Sequence, residues 1–288
     1  MNTGRIQAFL LNAMLAVTVF LFSGHATKAD PRLPDGVTAA PMADRIQRYE
    51  YHSAALNKTM AFVIVYPAGY KADGKPWPVL FFLHGLGRKE TTLVDDPPSR
   101  AELLAQPYVI VLPKGENGWY FDSPFDPARH FATYLDEVID LAGKVAHISS
   151  DPAQRAIGGW SAGGFGSIWA CLRHPQEFST LATIIAVCDF PAPGVRFPIN
   201  DKTFGTDPTQ WSKFNPLPHA AELKGHNILL CIGDKASDAE MNARFSAALD
   251  AAGIAHETKH FPGGHSFPTV QAGLGPVLDF VRAHLTAP

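Results

Sequence analysis

The chain has 288 residues, of which 46% are hydrophobic and 18% are charged, and its formal net charge is −3. This is the composition of an ordinary globular protein with enough apolar residues for a large core. The weak negative charge argues against a nucleic-acid partner.

The first 29 residues have the layout of a secretory signal. Arg5 precedes an apolar run at Ile6–Phe22, and small and polar residues follow at Ser23–Ala29. A charged start, an apolar middle and a small-residue exit are typical of a cleaved signal peptide. We therefore expect residues 1–29 to be a signal peptide and the protein to be exported, as a periplasmic or secreted protein.

Two cleavage positions fit this exit, after Ala26 or after Ala29. An uncleaved N-terminal membrane anchor is the alternative, because the apolar run approaches the ~20 residues that span a bilayer. Cleavage would leave a chain that is two charges more acidic and has no stable association with a membrane.

The three cysteines Cys171, Cys188 and Cys231 all lie inside apolar segments. Cys188 and Cys231 are able to pair if their strands are adjacent, but we expect buried free thiols, so the fold does not depend on disulfides.

Residues 30–44 are rich in proline and alanine and predict an exposed lead-in. Two strand-like runs follow, Arg45–Leu56 and Thr59–Tyr66, with a two-residue turn between them. This pattern predicts an antiparallel hairpin at the edge of a sheet.

Four continuous apolar runs are typical of strands that are buried on both faces. They are Val79–Leu83, Tyr108–Leu112, Leu181–Cys188 and Asn227–Gly233. Amphipathic or helix-like segments separate them, and a short edge strand at Glu257–Phe261 precedes a closing helix. The alternation predicts a doubly wound, mostly parallel α/β sheet, with residues 45–288 as a single domain.

Residues 190–220 contain six prolines and predict a surface loop that caps a pocket.

The segment Gly159–Gly163 reads GWSAG and fits the pattern G-x-S-x-G. An apolar strand ends just before it, and a helix is able to start at Ala162. This is the pattern of a nucleophile elbow, in which Ser161 would lie on a strained turn with its hydroxyl above the sheet edge. The alternative is an ordinary glycine-rich turn with a solvated serine.

A serine hydroxyl is a poor nucleophile unless a base removes its proton and an acid holds that base. His265, in a glycine-rich loop after the last predicted strand, is the predicted base. Asp234 directly follows a strand and Asp238 precedes the next helix, so both are candidate acids. We favour Asp238, although it also fits a helix N-cap, and Asp189 is an outside candidate.

Two backbone N–H groups are predicted to stabilise an oxyanion. One belongs to Ala162, the residue after the candidate nucleophile, and the other to Leu86 in the loop after Val79–Leu83. His84, which begins that loop, is expected to anchor it.

The chain resembles the α/β-hydrolase esterases of the esterase D group, which include S-formylglutathione hydrolases, feruloyl and acetyl esterases, siderophore esterases and mycolyltransferases. The resemblance runs from about Arg45 to the C-terminus. It is carried by LFFLHGLG (80–87), GWYFDSP (118–124), RAIGGWSAGGFGS (155–167), HPQEF (174–178), NILLCIGD (227–234) and FPGGHSF (261–267).

The resemblance implies an α/β-hydrolase fold and a serine carboxylesterase without metal or cofactor, with Ser161 as nucleophile and His265 as base. Two positions depart from the family pattern. Ala162 stands where the family usually has methionine, and Ala236 stands where the family usually has its acid. The acid is therefore expected at Asp234 or Asp238.

Trp119 and Tyr120 match a loop that lines the substrate pocket in the family, and with Trp160 they are the predicted substrate-binding residues. The alternative for Trp119 and Tyr120 is that they pack beneath residues 190–220, and each of the three is also typical of a core or rim position. The expected substrate is a small-molecule or carbohydrate-linked ester. An acyltransferase that uses a sugar or lipid alcohol, and a non-catalytic binding protein on the same fold, are the alternative functions.

Overall fold

A nine-stranded sheet runs through the part of the chain that the computed structural model describes, residues 33–189 and 201–285. In chain order the strands are β1 (Thr38–Ala43), β2 (Ile46–Ser53), β3 (Lys58–Val65), β4 (Val79–Leu83), β5 (Val109–Pro113), β6 (Arg155–Trp160), β7 (Thr180–Ile184), β8 (Asn227–Gly233) and β9 (Glu257–Phe261). They lie side by side in the order β1-β2-β3-β5-β4-β6-β7-β8-β9. The first three pairs in this order are antiparallel and the other five are parallel. This arrangement confirms the predicted mostly parallel sheet with an N-terminal antiparallel hairpin.

Helices cover both faces of the sheet. The α-helices in the described residues are α1 (Thr92–Asp95), α2 (Pro97–Leu104), α3 (Phe131–Val145), α4 (Ala162–Arg173), α5 (Asp201–Phe204), α6 (Ala239–Ala251) and α7 (Phe267–His284), and 3-10 helices lie at Pro152–Gln154, Pro208–Phe214 and Leu217–Leu223. Helices α3, α4 and α6 share one hydrophobic core, and α1, α2 and α7 share the other. Strand residues alternate between them, since Phe81 belongs to the first core and Leu80 and Phe82 to the second.

The predicted boundaries differ from the structure in two places. Part of the predicted lead-in forms β1, an edge strand whose six residues are all exposed. Strand β7 ends at Ile184, before the predicted Cys188, because Ile185 has a φ of 43° that turns the chain out of the strand. The three cysteines are free and buried, as expected.

The predicted signal at residues 1–29 lies outside the described residues, and so does the first part of the predicted surface loop, residues 190–200. Within residues 33–189 and 201–285, no helix is long and apolar enough to cross a bilayer.

Glu137 on α3 ties that helix to the turn between β2 and β3. Its Oε2 atom accepts a hydrogen bond from the Ser53 hydroxyl at 2.6 Å and another from the Tyr51 hydroxyl at 3.2 Å. Its Oε1 atom accepts from the Ala55 backbone N–H at 2.7 Å. One carboxylate therefore satisfies three donors of the hairpin.

We expect Glu137→Ala to lower the free energy of unfolding by about 2 kcal/mol, because hydrogen bonds to a charged group are lost and buried donors are left unpaired. Equilibrium unfolding in urea measures this change. Asp140→Ala is the matched control, since Asp140 lies on the same helix in an exposed pair with Lys144 and should change stability by at most about 0.5 kcal/mol. Equal effects of the two substitutions would contradict the role of Glu137.

Candidate active site

The predicted site residues meet at one edge of the sheet. Ser161 follows β6, Asp238 follows β8, His265 follows β9 and Leu86 follows β4. These four strands are parallel, so their carboxyl ends lie at the same edge. Ligand sites of open α/β sheets form at this edge.

Ser161 occupies the turn between β6 and α4 in a strained backbone conformation. Its φ is 56° and its ψ is −121°, values that a residue with a side chain rarely adopts. The Ser161 N–H donates to the Ile184 carbonyl at 3.1 Å, and the Val187 N–H donates to the Ser161 carbonyl at 3.2 Å. The turn is therefore held by the segment at the end of β7, as a nucleophile elbow requires.

Glycines allow the chain to pass close to this turn. A Cβ atom on Gly163 would lie 2.1 Å from the Leu83 carbonyl oxygen, so only glycine fits there. A Cβ atom on Gly85 would lie 3.1 Å from the Cβ atom of Ser161. The loop after β4 thus runs directly beside the serine.

Three side chains form a continuous chain of hydrogen bonds. The Nε2 atom of His265 lies 2.9 Å from the Ser161 Oγ atom, and its Nδ1 atom lies 2.5 Å from the Asp238 Oδ1 atom. An ionised carboxylate only accepts hydrogen bonds, so Nδ1 carries the proton and Nε2 is the acceptor for the serine hydroxyl. The Asp238 side chain is fully buried, whereas 26% of the His265 side chain is exposed.

The structure distinguishes the candidate acids by their partners. Asp234 accepts a hydrogen bond from the Nδ1 atom of His260 at 2.8 Å, and about half of each side chain is exposed. Asp189 accepts from Arg244. Asp238 precedes α6, but its carboxylate makes no capping hydrogen bond to that helix. Asp238 is therefore the candidate acid that the structure brings to His265.

Asn242 is a site residue that the sequence analysis did not identify. Its Nδ2 atom lies 3.1 Å from the Asp238 Oδ2 atom, 2.9 Å from the Asp238 carbonyl oxygen and 2.8 Å from the Ala186 carbonyl oxygen. The spacing of four residues was the available signal, because residues i and i+4 share a face of a helix.

The two predicted oxyanion donors are backbone N–H groups without a hydrogen-bond acceptor among the described residues. Ala162 is the first residue of α4, where an N–H has no partner within the helix. Among the described residues, neither this N–H nor that of Leu86 donates a hydrogen bond to another residue. Both are therefore available to an oxygen held above Ser161.

His84 fixes the loop that carries Leu86. Its Nε2 atom accepts from the Gly115 N–H at 2.9 Å, so the proton is on Nδ1, which donates to the Gly85 carbonyl at 2.8 Å. The backbone N–H of His84 donates to the Tyr120 hydroxyl at 3.1 Å. Burial lowers the pKa of His84 to about 4. This histidine is a neutral link between two loops, as expected.

The three predicted substrate-binding aromatics are buried, with exposed fractions of 2% for Trp119, 2% for Tyr120 and 4% for Trp160. The Trp119 ring packs edge-on against Phe165 and Phe204. These positions favour the packing interpretation over direct contact with a substrate.

The sequence profile of the family described as putative esterase matches residues 53–279, which is most of the chain. The chain belongs to the putative esterase family.

The chain is similar to several known proteins at low identity. The Mycobacterium tuberculosis esterase Rv1288 is 24% identical over 255 residues, which cover 77% of this chain and 56% of that protein. The chain thus spans about half the length of that curated relative. The S-formylglutathione hydrolase of Rattus norvegicus is 23% identical over 67% of this chain and 74% of its own length. The solved structure of the Staphylococcus aureus serine hydrolase FphF has a TM-score of 0.73 at 17% identity, with 85% of this chain and 98% of FphF covered. This likeness shows the α/β-hydrolase fold.

We expect the free energy of unfolding of Ser161→Gly to be about 1 kcal/mol higher than that of Ser161→Ala. Both variants lack the hydroxyl, but only glycine adopts this backbone conformation without strain. Equilibrium unfolding in urea compares them. An alanine variant that is as stable as the glycine variant would contradict the strain at this turn.

The buried His84 makes the stability of the fold depend on pH. The unfolded chain takes up a proton near the usual histidine pKa of 6.5, whereas the folded chain holds His84 neutral down to about pH 4. Stability is therefore lost as the pH falls from 6.5 to 4, by about 3 kcal/mol from this residue. Urea unfolding across this range should show a shallower decline for His84→Gln than for the wild-type protein. If the free energy of unfolding declines equally with falling pH in the wild-type protein and in His84→Gln, His84 is not the cause of the loss.

Proposed function

We propose that this protein is a serine carboxylesterase that works through an acyl-enzyme on Ser161. The observation that carries the proposal is the hydrogen-bonded chain from Ser161 through His265 to the buried Asp238, built on a strained elbow. Membership of the putative esterase family supports the same reaction class.

In the first half-reaction, the Nε2 atom of His265 takes the hydroxyl proton as the Ser161 oxygen attacks the ester carbonyl. The carbonyl π electrons move to its oxygen, which the N–H groups of Ala162 and Leu86 stabilise. Asp238 keeps the other imidazole nitrogen protonated and stabilises the positive charge that forms. His265 then gives its proton to the departing alcohol oxygen, and the acyl group stays on Ser161.

Water completes the cycle by the reverse sequence of proton transfers. His265 accepts a proton from a water molecule, whose oxygen attacks the acyl carbon, and then returns that proton to the Ser161 oxygen. The products are a carboxylic acid and the regenerated enzyme. An alcohol in place of water would give acyl transfer.

The substrate class is a small-molecule or carbohydrate-linked carboxylic ester. Among similar proteins, one is named an S-formylglutathione hydrolase and one a ferulic acid esterase. A first substrate panel therefore contains acetyl and feruloyl esters and a formyl thioester, each with and without an added alcohol as competing acceptor.

We also propose that the protein is exported, because Arg5, the apolar run at Ile6–Phe22 and the small-residue exit at Ser23–Ala29 follow the order of a secretory signal. This part of the proposal is independent of the chemistry at Ser161.

The decisive experiment is to treat the protein with a fluorophosphonate, measure its intact mass and map the modified peptide. We expect one adduct on Ser161, and the same mass reports whether the chain begins after Ala26 or Ala29. Ser161→Ala should abolish the adduct and reduce ester turnover by about 10⁴- to 10⁶-fold.

Ser179→Ala is the matched control, because Ser179 precedes β7 at the opposite edge of the sheet and should keep both labelling and turnover. Turnover that survives Ser161→Ala in a folded protein would overturn the proposed mechanism. A folded wild-type protein that neither labels nor hydrolyses the panel would favour a binding protein on the same fold.

A further inference from the structure

The carboxylate of Asp238 is fully buried and has few partners. Its Oδ1 atom meets His265 and its Oδ2 atom meets the Asn242 side chain. Within the part of the chain that the structure describes, no backbone N–H donates to either oxygen. A buried charge is costly unless hydrogen bonds replace its hydration, so the Asn242 amide carries a large share of that replacement.

The surroundings dictate which way the Asn242 amide points. Its Nδ2 atom faces three acceptors, namely the Oδ2 and carbonyl oxygens of Asp238 and the carbonyl oxygen of Ala186. The flipped amide would bring its own oxygen against all three, where nothing could donate. The Oδ1 atom is buried without a partner among the described residues. This side chain therefore serves as a donor.

The same amide connects the acid to the nucleophile's turn. Ala186 lies just beyond β7 and directly precedes Val187, whose N–H donates to the Ser161 carbonyl. Asn242 thus joins the loop after β8, which carries Asp238, to the segment that holds the Ser161 backbone.

We propose that Asn242 is the positioning residue for Asp238, whose carboxylate it holds toward the Nδ1 atom of His265. This inference rests on the proposed esterase function. Asn242 acts through Asp238 and His265 and does not touch the reacting atoms.

Few other charges face this carboxylate. Burial and the neighbouring charge of Asp238 raise the pKa of the Cys188 thiol, so the thiol is neutral. Asp189 is paired with Arg244 at 2.6 Å. The remaining ionisable side chains of the β8 loop, of the first turn of α6 and of the end of β9 are exposed: Asp234, Lys235, Glu240 and His260. Among the described residues, the side chains that hydrogen-bond to this carboxylate are therefore His265 and Asn242.

The test compares Asn242→Leu with Asn242→Ala. Leucine fills the space and removes the unpaired oxygen, so it should cost less stability than alanine, which leaves a cavity. Because both remove the donor, we expect both to lower kcat by about 10- to 100-fold with KM changed by less than about twofold. We also expect the acid limb of the kcat/KM profile to move to higher pH in both, because a carboxylate without its donor holds a shared proton more tightly.

Ser246→Ala is the matched control. Ser246 lies one turn further along α6 and its hydroxyl bonds to the Nε2 atom of His256 at 2.6 Å, away from Asp238. Its loss should change stability without moving the pH profile. The inference would be overturned if kcat fell only in proportion to the loss of stability in Asn242→Leu, Asn242→Ala and Ser246→Ala, with unchanged pH profiles. Asn242 would then be a packing residue.

Failure of the inference is distinguishable from failure of the proposed function. If the wild-type protein shows neither fluorophosphonate labelling nor ester turnover, the proposed function is wrong. If the wild-type protein is active and the Asn242 variants keep its kcat and pH profile, only the role of Asn242 is wrong. If neither variant folds, NMR of the wild-type protein decides. The Nδ2 protons of Asn242 should shift as the pH is lowered through the acid limb, and protons that do not respond would contradict the inference.

Discussion

The backbone of Ser161 is held at a φ of 56°, where a residue other than glycine costs about 1–3 kcal/mol, by hydrogen bonds to Ile184 and Val187 on either side. Only a tightly closed turn raises the serine oxygen above the ends of the parallel strands. Gly163 permits that closure because its Cα lies against the Leu83 carbonyl. The parallel sheet therefore provides both the anchor for the turn and the edge at which its partners arrive.

The loop beside the serine depends on a different interaction, the hydrogen bonds of the His84 ring. This ring offers one donor and one acceptor in a fixed plane, and the structure uses both, on Gly85 and Gly115. A protonated ring would turn the acceptor into a donor facing the Gly115 N–H, so the link exists only while the ring is neutral. Burial favours the neutral form, and the position of Leu86 is thereby maintained across the usual pH range.

The mostly parallel sheet with its N-terminal hairpin, the elbow serine and the histidine base were predictable because each has a local signal in the sequence. For the acid the sequence favours Asp238 but leaves Asp234 open, because the two are four residues apart and only the path of the loop decides which of them turns inward. Trp119 and Tyr120 were predicted to line a pocket, but φ angles of 60° and 54° bend their loop and both side chains lie in the core. Sequence identifies the chemistry at a position more readily than the direction in which the side chain points.

Asn242 is a buried polar residue whose amide lies against the Asp238 carboxylate. An amide buried with an unpaired oxygen costs free energy that an apolar side chain of similar size would avoid. The structure retains it where a buried carboxylate would otherwise have His265 as its only described donor. Asp238 has to be charged to stabilise a positive imidazole. It also has to be shielded from water, because the attraction between two charges is stronger at a lower dielectric constant. A neutral donor such as Asn242 meets both conditions, because it stabilises the anion without competing with the imidazole for its charge.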